Sequence, residues 1–395
     1  MSFDWKMQTL NDVVLINPQE TLPKGKQAKK IPMDFLQPFC RDIPSFEVSQ
    51  YMGGAKFRNG DTIMARITPC LENGKIAKVN VLDKDEIGFG STEYIVFRAK
   101  KNVMDEDFVY YLVCSALIRE PAIKSMVGSS GRQRVQTDVV KNLALKLPSL
   151  EEQRKIGALL KSLDDKIALN RRINDNLQQQ VFAMYRQLFV ETPSDNRKIC
   201  RAEQYFDISI GKTPPRKEPK WFTTIHSDNA VWVSISDMGN CGLFIADSSE
   251  YLTPAAVDKF NVVTVPDNTV ILSFKLTVGR IAISDGCLTT NEAIAHFKTE
   301  NKAINEYLYC YLKSYNFQTL GSTSSIATAV NSKIIKAMPF IVPTDEEIAL
   351  FHDFAAPIFE KIKACQHENS RLTELRDTLL PKLMSGEIDV SEVEI

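Results

Sequence analysis

Several features of common protein classes are missing from this sequence of 395 residues. It has no run of about 18 apolar residues, so no membrane-spanning helix is predicted and no membrane partner is expected. The first residues, Met1-Ser2-Phe3-Asp4-Trp5-Lys6, lack the basic start and apolar core of a signal peptide. The eight cysteines include no Cys-x-x-Cys pair, which is typical of reduced thiols. We therefore expect a cytoplasmic protein without disulfides.

Nucleotide-binding and metal-binding patterns are also incomplete. Gly211-Lys212-Thr213 is similar to the end of a phosphate-binding loop, but Phe206 stands where that loop needs a glycine. Pro214-Pro215 would also prevent the helix that must follow. The four histidines are dispersed, and Cys365 and His367 lie two residues apart on a predicted helix, so they point to different faces. We therefore predict no metal site and no cofactor bound by this chain.

Two sequence patterns of DNA-modifying enzymes are also rejected, one because its acid has another explanation and one because it is incomplete. Pro266-Asp267 with Glu300-x-Lys302 has the residue types of a metal-dependent nuclease, but Asp267 aligns with Asp61 in an internal repeat, where a turn at the start of a strand explains the acid. Asn17-Pro18 lacks the aromatic residue that stacks on a flipped base in adenine methyltransferases. We predict no catalytic residue, and an enzyme with an unrecognised site remains an alternative.

The composition is that of a globular protein with a large core. Hydrophobic residues make up 44% and charged residues 25%, and the length suggests two or three domains. The net charge of -1 is unevenly distributed, because residues 344–395 carry 12 acidic and 5 basic side chains. The rest of the chain is therefore net positive, which matters more for a polyanionic partner than the total charge.

Two long helical patterns lie 195 residues apart, from Glu151 to Leu188 and from Glu346 to Leu383. Both step by four and three residues, the period of a coiled-coil seam. The first seam contains Ile156, Leu160, Leu163, Ile167, Asn170, Asn174, Leu177, Val181, Met184 and Leu188. The second contains Ile358, Ile362, Cys365, Asn369, Leu372, Arg376, Leu379 and Leu383. Asn174 corresponds to Asn369, and such polar seam residues fix register. Pro357 is predicted to kink the second helix or to mark a fresh start.

The blocks before the two helices also repeat. Gly74-Lys75-Ile76-Ala77 matches Gly279-Arg280-Ile281-Ala282, and Ser91-Thr92-Glu93 matches Thr290-Asn291-Glu292. We predict an α+β fold in which two mixed α/β globular domains are separated by two long helices, packed as an antiparallel coiled coil with a pseudo-twofold repeat. The predicted segments are residues 1–148 and 191–343 for the globular domains, and 149–190 and 344–395 for the helical regions.

Basic and polar loops are the candidate binding segments. Gly211 to Trp221 combines four cations with three prolines, and Lys24 to Lys30 is its counterpart in the first globular domain. Gly128 to Arg134 offers Arg132, Gln133 and Arg134, side-chain types that read guanine and adenine edges. The second copy has Gly321-Ser322-Thr323-Ser324-Ser325 at that place, without charge. Two modules that share a scaffold and differ in their loops suit a reader of a split DNA site or, equally, an adaptor that binds two proteins.

The sequence resembles the specificity subunit of type I restriction–modification systems. The stretches that carry the resemblance are Gly211 to Lys217, Trp232 to Met238, Asn73 to Ala77, Leu147 to Ile156 and Leu379 to Ile388. The resemblance covers essentially the whole chain. The second helix begins with Val342-Pro343-Thr344-Asp345-Glu346-Glu347-Ile348 and lacks the glutamine that follows Glu152 in the first.

This resemblance implies a non-catalytic reader of double-stranded DNA. Each globular domain would be a target-recognition domain for one half of a bipartite site, and the helices would bind two methyltransferase subunits, which motor-nuclease subunits join. S-adenosylmethionine, ATP and Mg²⁺ would be held by those partners. The predicted DNA-binding residues are Lys24, Lys26, Lys29, Lys30, Arg66, Asn73, Lys75, Arg132, Gln133, Arg134, Lys212, Arg216, Lys217, Lys220, Lys275 and Arg280. A protein-only adaptor remains the alternative from another class.

Overall fold

The computed structural model describes residues 5–192, 194, 196–320 and 330–390. The chain forms two compact units, which we call unit 1 (residues 1–169 and 369–395) and unit 2 (residues 170–368). Each unit contains one globular domain and parts of both long helices. The segment Gly321 to Ser325, proposed as the second copy of the Arg132 loop, lies outside the described residues.

The first domain is built from ten strands and four helices. Its strands are β1 (Lys6–Thr9), β2 (Val14–Ile16), β3 (Gln27–Ile31), β4 (Glu47–Gln50), β5 (Lys56–Phe57), β6 (Thr62–Ala65), β7 (Ile76–Lys78), β8 (Gly88–Gly90), β9 (Tyr94–Ala99) and β10 (Ala144–Leu147). Its helices are α1 (Leu10–Val13), α2 (Glu106–Cys114), α3 (Ala116–Lys124) and α4 (Thr137–Lys141), and the long helix α5 (Leu150–Tyr185) follows.

The second domain follows a π-helical turn at Arg186–Val190. Its strands are β11 (Lys198–Arg201), β12 (Asp207–Ile210), β13 (Phe222–Thr223), β14 (Ala230–Val233), β15 (Phe244–Ile245), β16 (Tyr251–Leu252), β17 (Val270–Ser273), β18 (Ile281–Ser284), β19 (Thr289–Thr290), β20 (Ile294–Lys298) and β21 (Pro339–Val342). Its helices are α6 (Ala202–Tyr205), α7 (Ile235–Asn240), α8 (Pro254–Phe260), α9 (Asn305–Ser314) and α10 (Ser332–Ala337), and the long helix α11 (Asp345–Ser385) follows.

The two domains share the order of the four antiparallel strands of the central sheet, and the second domain adds the parallel edge strand β15. The central sheet has the order β2-β9-β6-β7 in the first domain and β12-β20-β17-β18-β15 in the second. A second sheet in each domain contains one parallel pair, β3 with β8 and β14 with β19. A two-stranded antiparallel sheet, β1 with β10 or β11 with β21, pairs the first and last strands of each domain. The predicted α+β repeat is therefore confirmed.

The hydrogen-bond ladders correct the alignment of one repeat block. The sequence aligned Asp61 with Asp267. In the first domain the carbonyl of Asp61 accepts a 2.8 Å bond from the amide of Val79, and the equivalent bond in the second domain runs from Ser284 to Thr269, at 2.9 Å. Thr269 therefore corresponds to Asp61. A two-residue shift keeps every side chain on the same face of a strand, so the hydrophobic pattern alone could not detect the error.

The long helices run antiparallel within each unit, as predicted. In unit 1, Asp164 of α5 accepts a 2.7 Å bond from Arg376 of α11. In unit 2, Asn174 of α5 lies opposite Ile362 of α11 and donates a 3.4 Å bond to its carbonyl, so Asn174 does not face another asparagine.

All predicted seam positions are buried or half-buried. The buried ones are Ile156, Leu160, Ile167, Asn170, Asn174, Val181, Ile362, Cys365, Arg376 and Leu383. The half-buried ones are Leu163, Leu177, Met184, Leu188, Ile358, Asn369, Leu372 and Leu379. At two levels the adjacent residue takes the more buried place: Asp164 beside Leu163, and Phe359 beside Ile358.

Helix α11 continues through Pro357, so the predicted fresh start at this residue is wrong. Pro357 lies on the exposed side of the helix. Proline has no N–H, so one carbonyl in the preceding turn of the helix lacks its hydrogen bond. On the exposed side of the helix water can bind this carbonyl, whereas at a buried position it would stay unpaired.

Each unit has one main hydrophobic core between its central sheet and the helices. In unit 1, side chains of β6 and α2 pack with Ile156 and Leu160 of α5 and with Leu383 of α11. In unit 2, side chains of β17 and α9 pack with Val181 of α5 and with Phe351 of α11.

Candidate nucleic-acid interface

Four basic residues predicted in the first domain, Arg66, Lys75, Arg132 and Arg134, lie at one end of its central sheet. Strands β2 and β6 end there, and β7 and β9 begin there, because β9 runs antiparallel to both β2 and β6. The amide of Arg66 donates to the carbonyl of Glu93 at 2.9 Å, and the amide of Thr68 donates to the carbonyl of Gln133 at 3.0 Å. We call this region, residues 66–75, 91–93 and 127–134, the first loop end.

Salt bridges and hydrogen bonds restrain some of these cations. Arg134 makes three hydrogen bonds from its guanidinium to Glu93, with distances of 2.8 to 3.0 Å, and Lys75 donates to the carbonyl of Met33 at 2.9 Å. Arg132 and Asn73 are exposed. Arg132 therefore extends into solvent, whereas the salt bridge to Glu93 fixes Arg134 and partly neutralises its charge.

A cavity of about 540 Å³ lies beside the first loop end. Arg66, Thr92 and the ring of Tyr94 line one part of it, and Glu20 and Lys56 line another. Burial raises the pKa of Glu20, but hydrogen bonds from Arg58 and Arg98, each 2.6 Å long, outweigh that effect and keep the pKa below its usual value. The wall of the cavity is therefore a stable ionic network rather than a set of groups ready for acid–base chemistry.

The second domain repeats this arrangement at the corresponding sheet end. Strands β12 and β17 end there, and β18 and β20 begin there. The amide of Lys212 donates to the carbonyl of Thr290 at 2.9 Å, and Thr213 donates from its hydroxyl to Glu292. A Cβ on Gly211 would lie 2.0 Å from the hydroxyl of Thr290, so this close approach requires glycine. We call residues 211–216, 274–280 and 290–293 the second loop end.

Arg216 is fixed more firmly than its exposed loop suggests. Its guanidinium donates two bonds to Glu250, at 2.9 and 2.7 Å, and lies over the rings of Phe222 and Trp232 at 4.0 and 4.6 Å. Stacking and pairing together leave one defined orientation for this cation. Lys212 and Lys275 at the same loop end are exposed.

Glu292 is the acid at the centre of the second loop end. Burial raises the pKa of Glu292, while the hydrogen bond from Thr213 and the charges of Lys275 and Arg216 lower it, and the net pKa is below its usual value. Glu292 is therefore ionised at neutral pH. Its negative charge reduces the local positive charge near Lys275 and Arg216.

The remaining predicted residues lie in other surroundings. Lys24 and Lys26 are exposed in the turn before β3, whereas Lys29 pairs with Asp83 and Glu86 and Lys30 pairs with Glu47. Lys217 is exposed, and Lys220 pairs with Glu218 at 3.1 Å.

Arg280 turns into the second domain and donates to the carbonyl of Ile235, so its contact is structural. The sequence did not reveal these pairings, because the partners lie far along the chain, as in the 41 residues between Glu93 and Arg134.

Leu276 is a residue of the second loop end that the sequence analysis did not select. Its side chain is 96% exposed, and its φ of 59° is uncommon outside glycine, asparagine and aspartate. A single leucine in a loop gives no signal in the sequence, because its exposure depends on the turn that displays it.

The nuclease-like residues Asp267 and Lys302 lie close together, since Lys302 donates to the carbonyl of Asp267 at 3.3 Å, and each also has a structural contact. Asp267 accepts a 2.7 Å bond from the amide of Gly286, and Lys302 donates to the carbonyl of Asn268 at 2.9 Å. Within residues 5–192, 194, 196–320 and 330–390, no group of three histidine, cysteine or acidic residues could hold a metal ion. Over the same ranges, no helix combines the length and apolar character needed to cross a bilayer.

A repeated α+β domain with basic loops at one sheet end, joined through paired helices, is the architecture of a DNA specificity protein. The sequence pattern of the family described as "Type I restriction modification DNA specificity domain" matches residues 3–179 and again residues 196–371. The chain therefore belongs to this family, whose function is recognition of DNA targets. The double match follows the same repeat that the sheets show.

Curated relatives and a solved structure agree with this placement. The chain is 25% identical over 421 aligned positions to the type I restriction enzyme HindI specificity subunit of Haemophilus influenzae, covering 86% of this chain and 90% of that protein. It is 24% identical to the MjaIX specificity subunit of Methanocaldococcus jannaschii, covering 74% and 71%. A crystal structure of the type I restriction-modification S subunit from M. genitalium has a TM-score of 0.53 at 15% identity, covers 96% of each chain, and supports the fold.

Proposed function

We propose that this chain is the non-catalytic, DNA-reading subunit of a type I restriction–modification complex, and that each domain reads one half of a bipartite target. The observation that carries the proposal is the repeated loop end. Both domains present basic loops at the same end of the same sheet, but the side chains differ, with Arg132, Gln133 and Asn73 in one and Lys212, Lys275 and Arg216 in the other. Equal scaffolds with different loops suit two half-sites of different sequence.

Within each loop end we assign different roles to exposed and fixed cations. Arg132 and Gln133 would contact base edges, for which guanidinium and amide groups have matching hydrogen-bond geometry. Lys212 and Lys275, together with Lys217 just beyond the second loop end, would contact phosphates, since exposed lysines neutralise charge without reading sequence. Arg134 and Arg216 would keep their carboxylate partners and position the loops around them.

The helices would serve as the scaffold for two methyltransferase subunits, which motor-nuclease subunits join for cleavage. Adenine methylation and cleavage would take place on those partners, which would hold S-adenosylmethionine, ATP and Mg²⁺. A complex that acts on genomic and incoming DNA would work in the cytoplasm.

The test is a comparison of two variants, one from each domain. The chain, Arg132→Ala and Lys212→Ala are each produced with the methyltransferase subunit, and methylated adenines are mapped across a host genome. Arg132→Ala should relax the sequence read in the half-site of the first domain and weaken binding by about 1–3 kcal/mol. Lys212→Ala should leave the methylated sequence unchanged and reduce the slope of log affinity against log salt by about 1.

The other possible results identify the rival functions. If Arg132→Ala changes neither affinity nor the methylated sequence, the assignment of base contacts to this loop is wrong. Absence of any preference for a bipartite sequence, with the methyltransferase present, would favour the protein-only adaptor. Methylation or cleavage by the purified chain without partners would show an enzyme.

A further inference from the structure

The turn between β17 and β18 displays one apolar side chain to solvent. Leu276 stands in this turn and is 96% exposed, the highest value of any large apolar side chain among the described residues. The turn belongs to the second loop end, because the amide of Phe274 donates to the carbonyl of Ala293 at 2.8 Å. Leu276 therefore projects from the surface that we propose contacts DNA.

The backbone at Leu276 is strained and firmly held. Its φ of 59° lies in the left-handed region, which costs free energy for a leucine and suits asparagine or glycine better. Ser273 fixes the turn by donating from its hydroxyl to the carbonyl of Thr277 at 2.6 Å and accepting from the amide of Arg280 at 3.1 Å. Phe274 anchors the turn in the core. A strained residue on an anchored turn is typical of functional positions.

The surroundings of Leu276 are polar rather than apolar. Its neighbours in the chain are Lys275, whose side chain is exposed, and Thr277, and Lys212 lies at the same loop end. A hydrophobic partner protein would be expected to meet a continuous apolar patch. An apolar tip beside cations instead fits duplex DNA, because the lysines can contact phosphates while the leucine enters a groove.

The first domain exposes its apolar side chains less fully at the corresponding place. Its connection, residues 66–75, is longer and shows no large exposed apolar side chain among the described residues. Phe39, with a φ of 56°, and Val127 are each 57% exposed, and the ring of Phe39 lies against Gly74 and the guanidinium of Arg119. Among the described residues, an apolar side chain that is almost fully exposed therefore occurs at the second loop end and not at the first.

We infer that Leu276 is an apolar wedge that enters the DNA groove in the half-site of the second domain and partly unstacks one base step. The inference rests on the proposed function and adds a second kind of recognition to it. Proteins that insert leucine or phenylalanine between base pairs select steps that unstack easily, so the wedge would set sequence preference without hydrogen bonds to base edges.

The test uses two replacements with opposite properties. Leu276→Asn suits the left-handed backbone and removes the apolar tip, whereas Leu276→Met keeps an apolar tip of similar length. Each chain is bound, with the methyltransferase subunit, to duplexes that carry 2-aminopurine at successive positions of the second half-site. The unchanged chain and Leu276→Met should raise 2-aminopurine fluorescence at one step, and Leu276→Asn should abolish the rise and weaken binding by roughly tenfold.

Matched controls separate the wedge from folding and from the proposed function. Leu276→Asn should not lower the thermal midpoint, since asparagine relieves the strain. Ile225→Asn removes another exposed apolar side chain of the same domain, outside the second loop end, and should leave fluorescence and affinity unchanged. Unchanged fluorescence and affinity in Leu276→Asn would overturn the wedge while leaving DNA reading intact. Failure of the unchanged complex to prefer any bipartite duplex would instead overturn the proposed function.

Discussion

The two units stabilise the same helix pairing with different chemistry. In unit 1, Asp164 accepts hydrogen bonds from Arg376 at 2.7 Å and from the hydroxyl of Tyr111 at 2.6 Å, and both charged residues are buried. The residues 195 positions away, in unit 2, are Phe359 and Val181, which are buried and apolar.

The aromatic character of the second contact extends beyond these two positions. Tyr185 of α5, Tyr307 of α9 and Phe351 of α11 form ring contacts with centroid distances of 5.7 and 6.3 Å from Tyr185. Tyr307 satisfies its hydroxyl on the carbonyl of Ile341 at 2.8 Å, without a charged partner. The comparison shows that the repeat fixes the level at which the helices meet, while the residues at that level can be an ion pair or an aromatic cluster.

Removing the cation of the buried ion pair should give the largest change in the stability of one unit relative to the other. Arg376→Met should destabilise unit 1 by about 3–5 kcal/mol, because it leaves the carboxylate of Asp164 buried without its cation. Hydrogen exchange in α2 and in the first half of α5 measures the effect in this unit. The double variant Asp164→Leu with Arg376→Met mimics the apolar contact of unit 2 and should recover most of the loss. A cost below about 1 kcal/mol for the single variant would contradict a buried, uncompensated charge.

Lowering the pH should have the second largest effect. It should destabilise unit 2 more than unit 1, because all four histidines lie in unit 2. His296 is fully buried between the hydroxyls of Ser209 and Thr290, at 3.0 and 2.7 Å. Burial lowers the pKa of His296 from 6.5 to about 3, and the charge of Lys298 adds to this effect. The neutral form is therefore favoured by folding. The contribution of neutral His296 to folding stability is complete above pH 6.5 and decreases as the pH falls toward 3. At pH 4.5 about 2–3 kcal/mol of it has been lost.

The first domain offers the control for this acid effect. Val96 occupies the place opposite Ile63 that His296 occupies opposite Ile271. His296→Val should lower stability at pH 7, because the hydroxyls of Ser209 and Thr290 each lose a hydrogen bond, and should remove the extra loss of unit 2 between pH 6.5 and 4.5. Denaturant unfolding at several pH values, followed by hydrogen exchange in β20, measures both. An unchanged acid sensitivity would assign it to other groups.

Replacing the asparagines of the helix seam should have the smallest effect on the free energy of unfolding. The side-chain oxygen of Asn174 is buried and has no hydrogen-bond partner among the described residues. Asn174→Leu should therefore raise the free energy of unfolding of unit 2 by up to about 1 kcal/mol. Asn170→Leu is the matched change, and it should lower stability, since Asn170 donates a 2.7 Å bond to Glu368. A loss of stability in Asn174→Leu would show that its amide has a structural role beyond fixing register.

The fold was predictable to the extent that it depends on period and repeat. The steps of three and four residues predicted both helices, and their pairing followed from equal lengths and matching seams. The antiparallel direction, which the structure confirms, was predicted because the second globular domain leaves ample chain between them. The seam differs at Leu163 and Asp164 because the hydrophobic pattern favours leucine, whereas the structure buries the acid beside Arg376 and Tyr111. A buried charge with satisfied partners cannot be recognised from one helix alone.

The candidate interface was predictable only as a set of loops. Residue type placed Arg132, Arg134, Lys212 and Arg216 in loops that the topology brings to matching sheet ends. Which of them are exposed depends on acids such as Glu93 and Glu250, whose contacts need the folded sheet. The assignment of these residues to bases or phosphates remains a prediction that the variants above can test.

The division of the chain into units has a consequence for synthesis on the ribosome. Unit 2 is one continuous stretch, whereas the core of unit 1 includes Leu383, Met384 and Val390 near the end of the chain. Leu160, in the helix of the domain that is translated first, therefore lacks its full set of core contacts until the last helix has left the exit tunnel. The domain translated second completes its core earlier, so the order of maturation is the reverse of the order of translation.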